Sequence, residues 1–419
     1  MTEGFSRSVA LPYLDTKNYL ILFLLWPFLA CITAILNFGQ KEARNIVYAF
    51  LVYYGLTFVV GNEGIDASRI AMALKMNAML PFSDIFRIIG GVYATDTTVD
   101  IVEPLISFVV SRITEDHRLL FGTFAALFGY FYVRSLSLLF DEAKYNFGWN
   151  SLIYMIFLAS ILPVTSINGF RMWTAAWIFF YGAYHVILYK DARFLILTFS
   201  ACLVHVSFLT ANFVLLIYFF AGNRNMIYIP LVLLSFIVPN LIEPLIQSSF
   251  GAFGSAALKA RVQMYTDTAY VQLRQDSVMQ DAWFLRIGSD MVLYYLLLAI
   301  IVVRYRMRNS VQNQPSENLF SFLLLFLAFV NFGMPIPSFG GRFMILFFMF
   351  ATLYVFRFFA GNDSSRIDIL TLVGLFPMLL FAAITFRQGS ETMNAWLFAP
   401  GFGIPWLVPE LTIFEVLFQ

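Results

Sequence analysis

Long apolar runs separated by short polar breaks occupy almost the whole chain. They fall at about 18–37, 45–60, 119–140, 150–167, 172–189, 192–221, 226–246, 289–303, 319–334, 342–359 and 367–386, with a shorter run at 101–113. A bilayer core about 30 Å thick needs roughly 20 apolar residues of α-helix, so most of these runs predict a transmembrane helix. The expected fold is an all-α polytopic membrane protein, a single transmembrane domain over 1–414 with about 11–14 transmembrane helices, some of them re-entrant or broken. The first run starts near Tyr19 and is long enough to span, so no cleavable signal peptide is expected. The stretch from Ala395 to Phe414 is apolar but carries Pro400, Pro405 and Pro409, and it is expected to lie against the bundle or at the interface. The closing EVLFQ, 415–419, resembles the remnant of a viral 3C protease site used to remove purification tags and is set aside.

Lysine and arginine in short loops orient such a chain. VVRYRMRN closes one helix with Arg304, Arg306 and Arg308, and Lys41 with Arg44 follows the first run, so these ends are expected to be cytoplasmic. Segments 61–100, 247–288 and the loop around 334–342 then face outward. The run 192–221 decides the rest. As one long helix it puts Arg171 inside. As two short helices turning near VHVSF it puts Arg171 outside, with YKDAR and AGNRN inside. Both of those loops are basic, which favours the hairpin. The run 101–113 then enters and leaves on one side, because thirteen residues rise only about 20 Å. Two broken elements suggest a cavity open to the outside, since irregular backbone at membrane depth needs cover from protein or water. A short internal likeness, DIVEPLISF at 100–108 and NLIEPLIQSSF at 240–250, is compatible with chance in a Leu/Ile-rich chain.

Composition agrees with this picture: 60% of residues are hydrophobic and 12% charged, against about 25% charged in soluble domains. The net charge of +1 gives no field for nucleic acid, and no nucleic-acid partner is expected. Cys31 and Cys202 lie in apolar runs and read as packing residues. There is no GxxxxGK loop, HExxH or CxxC, so no cofactor and no metal is expected.

The informative residues are ionisable groups at membrane edges, where a charge is costly and each has a plainer alternative. Arg171 follows Ser166, Asn168 and Gly169; outside, its fork suits the diphosphate of a lipid carrier, and otherwise it is a snorkelling anchor. Arg342 opens a helix after Gly340 and Gly341, with the same two readings. His205 is a diphosphate ligand or proton-transfer group, or else a buried neutral histidine. Asp66, near Arg69, is a general base for a sugar hydroxyl or a first-turn helix charge, and Glu103 beside Pro104 poses the same question. In the loop 247–288, Arg261, Tyr265, Tyr270, Arg274, Trp283 and Arg286 mix charge with rings that suit a glycan, or simply form a solvated loop.

Taken in order, GNEGIDASRI, EPLISFVV, SINGFRMWTAAWIFF, ACLVHVSFL and FGGRFMILF resemble the EpsG/Wzy group of bacterial polysaccharide polymerases over about 45–360. A tyrosine pattern often seen after the early acidic residue is missing, since Ile70, Ala71 and Met72 follow Arg69. The resemblance implies a GT-C-like bundle in the bacterial inner membrane with a periplasm-facing cavity. It implies an enzyme, a glycosyltransferase moving a growing glycan from an undecaprenyl-diphosphate carrier onto the non-reducing end of a lipid-linked repeat unit. Arg171, Arg342 and Arg69 would then hold the diphosphate, and His205, Asp66 or Glu103 would be the base. The implied partners are the undecaprenyl-diphosphate-linked oligosaccharide, membrane lipids and a chain-length-regulating co-polymerase. An O-antigen ligase, another lipid-carrier glycosyltransferase, or a lipid-linked oligosaccharide flippase are the alternatives.

Overall fold

In the computed structural model, the described residues are 15–61, 66–86, 100–143, 147–237, 283–308, 314–362, 366–401 and 403–418. Among them there are helices and turns and no strand, the nearest approach being one isolated bridge between Asn394 and Thr412. Six helical segments are long and apolar enough to cross a membrane: His117–Ala143, Trp149–Tyr189, Trp283–Met307, Gln314–Gly333, Phe339–Gly361 and Ile369–Gly389. The other apolar runs are divided by identifiable breaks. The run 18–37 becomes α1 (Thr16–Leu25) and α2 (Pro27–Leu36), because Pro27 has no N–H to continue the ladder. The helix α3 (Lys41–Leu56) precedes α4 (Asp66–Ala78) and α5 (Val102–Ser111), the last as short as its run implied. The long α6 (His117–Ala143) runs on to α7 (Trp149–Ile161), which stops at Pro163 and passes through a 3₁₀ segment (Val164–Gly169) into α8 (Phe170–Tyr189).

After α8 the chain turns at Lys190, which takes the left-handed conformation with φ 56°. Then α9 (Phe194–Val204) packs back along α8. At His205 the backbone becomes extended (φ −150°, ψ 117°), and α10 (Phe208–Ala221) follows. This break is a hairpin and not a kink. Asn212 Nδ2 on α10 donates to the Thr198 carbonyl on α9 at 2.9 Å, and Lys190 Nζ lies 3.9 Å from the Tyr218 ring centroid. A continuous helix would carry Tyr218 far from Lys190. The expected reversal at His205 is therefore observed.

The remaining helices are α11 (Asn225–Ile237), α12 (Trp283–Met307), α13 (Gln314–Gly333), α14 (Pro337–Asn362) and α15 (Ile369–Gly389). Cross-links sort the bundle into two ends. Arg44, Lys190, Arg304 and Arg306 share one end with Asp141, Glu142 and Asn150. Thr57, Asp100, Arg171, His205 and Arg342 share the other. The tail does not span. It folds over the second end, where Trp26 Nε1 donates to the Phe398 carbonyl at 2.8 Å and Arg118 pairs with Glu410 at 2.8 Å. Its last residues form α16 (Ile413–Phe418).

Candidate functional site

Asp66, Glu103, Arg171, His205 and Arg342 all lie at or near helix ends, where backbone groups lack helical partners and the dipole is unscreened. Asp66 is in the first turn of α4, Glu103 in that of α5, Arg171 in that of α8, and Arg342 in the second turn of α14. His205 is the extended residue of the hairpin. Local packing holds these ends together. Phe170 stacks on Phe124 with ring centroids 3.9 Å apart, and Asn168 Oδ1 accepts from the Ala67 N–H at 3.2 Å, tying α4 to the entry of α8. Gly340 packs on the preceding turn so closely that a Cβ there would stand 2.5 Å from Met334 Cα, so glycine allows this tight entry into α14 two residues before Arg342.

Asp66, Arg69, Glu103, Arg171, His205 and Arg342 line one cavity of about 290 Å³, together with Asn168, Gly169 and Trp173. Arg69 forms an ion pair with Asp66. Arg342 is partly buried, and among the described residues no carboxylate pairs with it.

Sequence reasoning missed the centre of the arrangement. Asp100 is 1% exposed and lies behind the cavity wall. Its Oδ2 accepts from Arg171 Nη1 at 3.1 Å. Its Oδ1 accepts from the Val206 N–H at 2.9 Å and lies 3.4 Å from His205 Nδ1. Ile101 N–H donates to the Leu203 carbonyl at 3.0 Å, so this short stretch also satisfies the backbone that the hairpin leaves open. Burial pushes the Asp100 carboxyl up, but His205, the Val206 N–H and Arg171 together outweigh it and hold it below the usual carboxylate range. Glu103 goes the other way. Burial raises it, Arg171 opposes, and Asp100 and Asp66 add to the rise. Two carboxylates three residues apart thus have opposite tendencies, one fixed as an anion and one inclined to hold a proton. A signal for Asp100 was present, since it opens the DIVEPLISF stretch directly before a short apolar helix.

Of the glycan candidates, the two that are described, Trp283 and Arg286, do not line this cavity. Arg261, Tyr265, Tyr270 and Arg274 lie outside the described residues. Trp283 is exposed at the start of α12, and Arg286 is exposed and 3.7 Å from Asp290. Among the described residues, no group of three His, Cys, Asp or Glu side chains is placed to hold a metal ion.

The EpsG family model matches residues 80–397, well over half of the chain, and the chain belongs to this family, that of the Wzy-type polysaccharide polymerases. No curated protein and no solved structure matches it. Membership gives the general role, polysaccharide polymerisation by a membrane-embedded glycosyltransferase.

Proposed function

We propose, from that membership, that the cavity transfers a growing glycan from an undecaprenyl-diphosphate carrier onto the non-reducing end of a lipid-linked repeat unit. The observation that carries this reading is the convergence of Arg69, Arg171 and Arg342 with a histidine and two carboxylates in one cavity. In the transfer, an acceptor hydroxyl oxygen attacks the anomeric carbon of the donor glycan. The bond from that carbon to the phosphate oxygen breaks, and the hydroxyl proton passes to a base. Charge builds on the departing lipid diphosphate, where guanidinium forks stabilise it most.

Arg342 and Arg171 are the principal diphosphate ligands, with Arg69 at the rim. His205 is the base. Asp100 faces its Nδ1, which leaves Nε2 as the nitrogen free for the proton, while Asp100 also steadies Arg171. Glu103 is the second reading for proton transfer, favoured by its raised carboxyl. Asp66 is engaged by Arg69 and reads as part of the binding wall.

In this reading the bundle is GT-C-like and lies in a bacterial inner membrane, as family membership suggests. The end with Arg44, Lys190 and Arg304 is cytoplasmic by the positive-inside rule, and the cavity is periplasmic. The ionisable groups of the cavity gather at one end of the bundle and not at mid-bundle in two related halves, which supports an enzyme over a flippase.

The test is polymer length on lipid-linked glycan in cells carrying Arg171→Ala, His205→Ala or Arg342→Ala. Each is expected to lose long polymer at normal protein abundance, and wild-type length in all three would remove the proposal. Orientation is read separately. A cysteine at Asn168 should react with a membrane-impermeant reagent added outside, and one at Asn223 should not.

A further inference from the structure

A second cavity, about 690 Å³, lies between α11 and α12 and is floored by α13 and Phe347. Its origin is a gap in packing. The α11 helix packs on α13, whereas α12 packs on α14 and α15, so the two rims hardly touch. The floor is apolar and buried, with Leu323, Leu327 and Phe347 at most 3% exposed. The rims face the membrane, with Leu233 60% and Ile301 66% exposed. The cleft ends in charge: Arg304 and Tyr305 in the last turn of α12 line it, as does Arg308 just past the helix end, whose N–H donates to the Tyr305 carbonyl at 3.2 Å.

These cations are not equivalent. Arg304 is paired with Glu317 and sits 4.8 Å over the Phe320 ring. Arg306 points elsewhere and pairs with Asp368 at 2.8 Å. Arg308 is exposed at the cleft mouth, and among the described residues no carboxylate pairs with it. The apolar wall from Leu297 to Arg308 rises about 16 Å, near half of the ~30 Å hydrocarbon core. A slot one leaflet deep, apolar inside and carrying at its rim an arginine with no carboxylate partner among the described residues, matches a lipid of that leaflet.

We propose that this cleft binds one anionic phospholipid from the leaflet on the Arg304 side. Its acyl chain lies on Leu323, Leu327 and Phe347, and its phosphate meets Arg308 and the Tyr305 hydroxyl. A single net negative headgroup balances Arg308, and a zwitterionic one leaves it unbalanced. A polyprenyl tail hanging from the first cavity would have no use for the charge at this end.

The test uses the purified full chain in mixed micelles titrated with phosphatidylglycerol or phosphatidylcholine, read by native mass spectrometry and thermal midpoint. Phosphatidylglycerol is expected to bind about fivefold more tightly, the worth of one basic residue at an anionic surface. Arg308→Ala should erase that preference, and Leu233→Trp or Ile301→Trp, filling the slot from either rim, should reduce uptake of both lipids. Two tryptophan variants are used so that a misfolded one, detected by size exclusion and circular dichroism, does not decide the result. Equal binding of the two lipids, a preference intact in Arg308→Ala, uptake intact in the folded tryptophan variants, or preferred retention of a polyprenyl phosphate would each overturn the proposal. Polymer formation is not the readout, so the two sites stand or fall separately.

Discussion

The two ends of this bundle use arginine in opposite ways. At the Arg304 end, four guanidinium groups have carboxylate partners of their own, and Arg308 at the cleft mouth has none among the described residues. Arg44 pairs with Asp141 at 2.9 Å, Arg306 with Asp368 at 2.8 Å, Arg304 with Glu317, and the buried Arg357 with Glu142, which also accepts from the Tyr184 hydroxyl at 3.1 Å. At the cavity end the pairing is incomplete. Asp100 is shared between Arg171 and His205, and Arg342 has no carboxylate partner among the described residues. Glu103 is inclined toward its proton, which leaves still less negative charge there. A neutralised arginine anchors and packs. An arginine whose countercharge is divided or missing retains attraction for an arriving anion.

The contrast breaks most visibly at Arg357. Arg357→Leu strands the Glu142 carboxylate in a largely buried place and is expected to destabilise the protein by about 3–5 kcal/mol, measured by thermal or denaturant unfolding in detergent. Adding Glu142→Gln should recover much of the loss. A single variant as stable as wild type would mean the pair is not the anchor it looks like.

Arg171→Lys probes the other end. Lysine keeps the charge but not the fork, so polymerising activity is expected to fall about tenfold while the unfolding midpoint moves little. Unchanged activity would reduce Arg171 to a point charge.

Glu103→Gln sharpens the comparison through pH. Because the folded carboxyl is raised, its contribution to stability is fully present below the unfolded value of about 4.3 and is lost as pH rises through the folded value. At neutral pH Glu103 is therefore a liability to the fold. The variant should show a higher unfolding midpoint at neutral pH, with the gain vanishing in acid, and lower polymerising activity. A gain in stability without any loss of activity would make Glu103 a bystander.

The smallest effect is expected at Arg193, exposed and bonded to Asp191 two residues away. Arg193→Ala should leave both unfolding and polymer length unchanged, although it removes one charge from the orienting loop.

Much of the site was legible because it rests on cost. A charged or titratable group in an apolar chain is expensive, so Arg171, His205 and Arg342 stood out against their surroundings, and the structure places them in one cavity. The hairpin was legible because the thirty residues of 192–221 exceed one crossing and both flanking loops are basic. Asp100 was not legible as a partner. An aspartate before an apolar helix is an ordinary capping pattern, and two of the groups it serves, Arg171 and the Val206 N–H, lie 71 and 106 residues away in the chain. The break at Pro27 was a local signal overlooked within a longer apolar run.

By itself, then, the sequence determined that this chain is an all-helical membrane bundle, which loops carry the basic clusters, and which few ionisable residues are candidates for chemistry. These follow from local hydropathy and charge, which do not depend on where distant segments lie. Tertiary structure alone decided that five separate helix ends meet, that one buried aspartate divides itself between Arg171 and His205, and that α11 and α12 stand apart with Arg308 at the mouth of the gap. Those are contacts between segments remote in sequence, and no periodicity or composition records them.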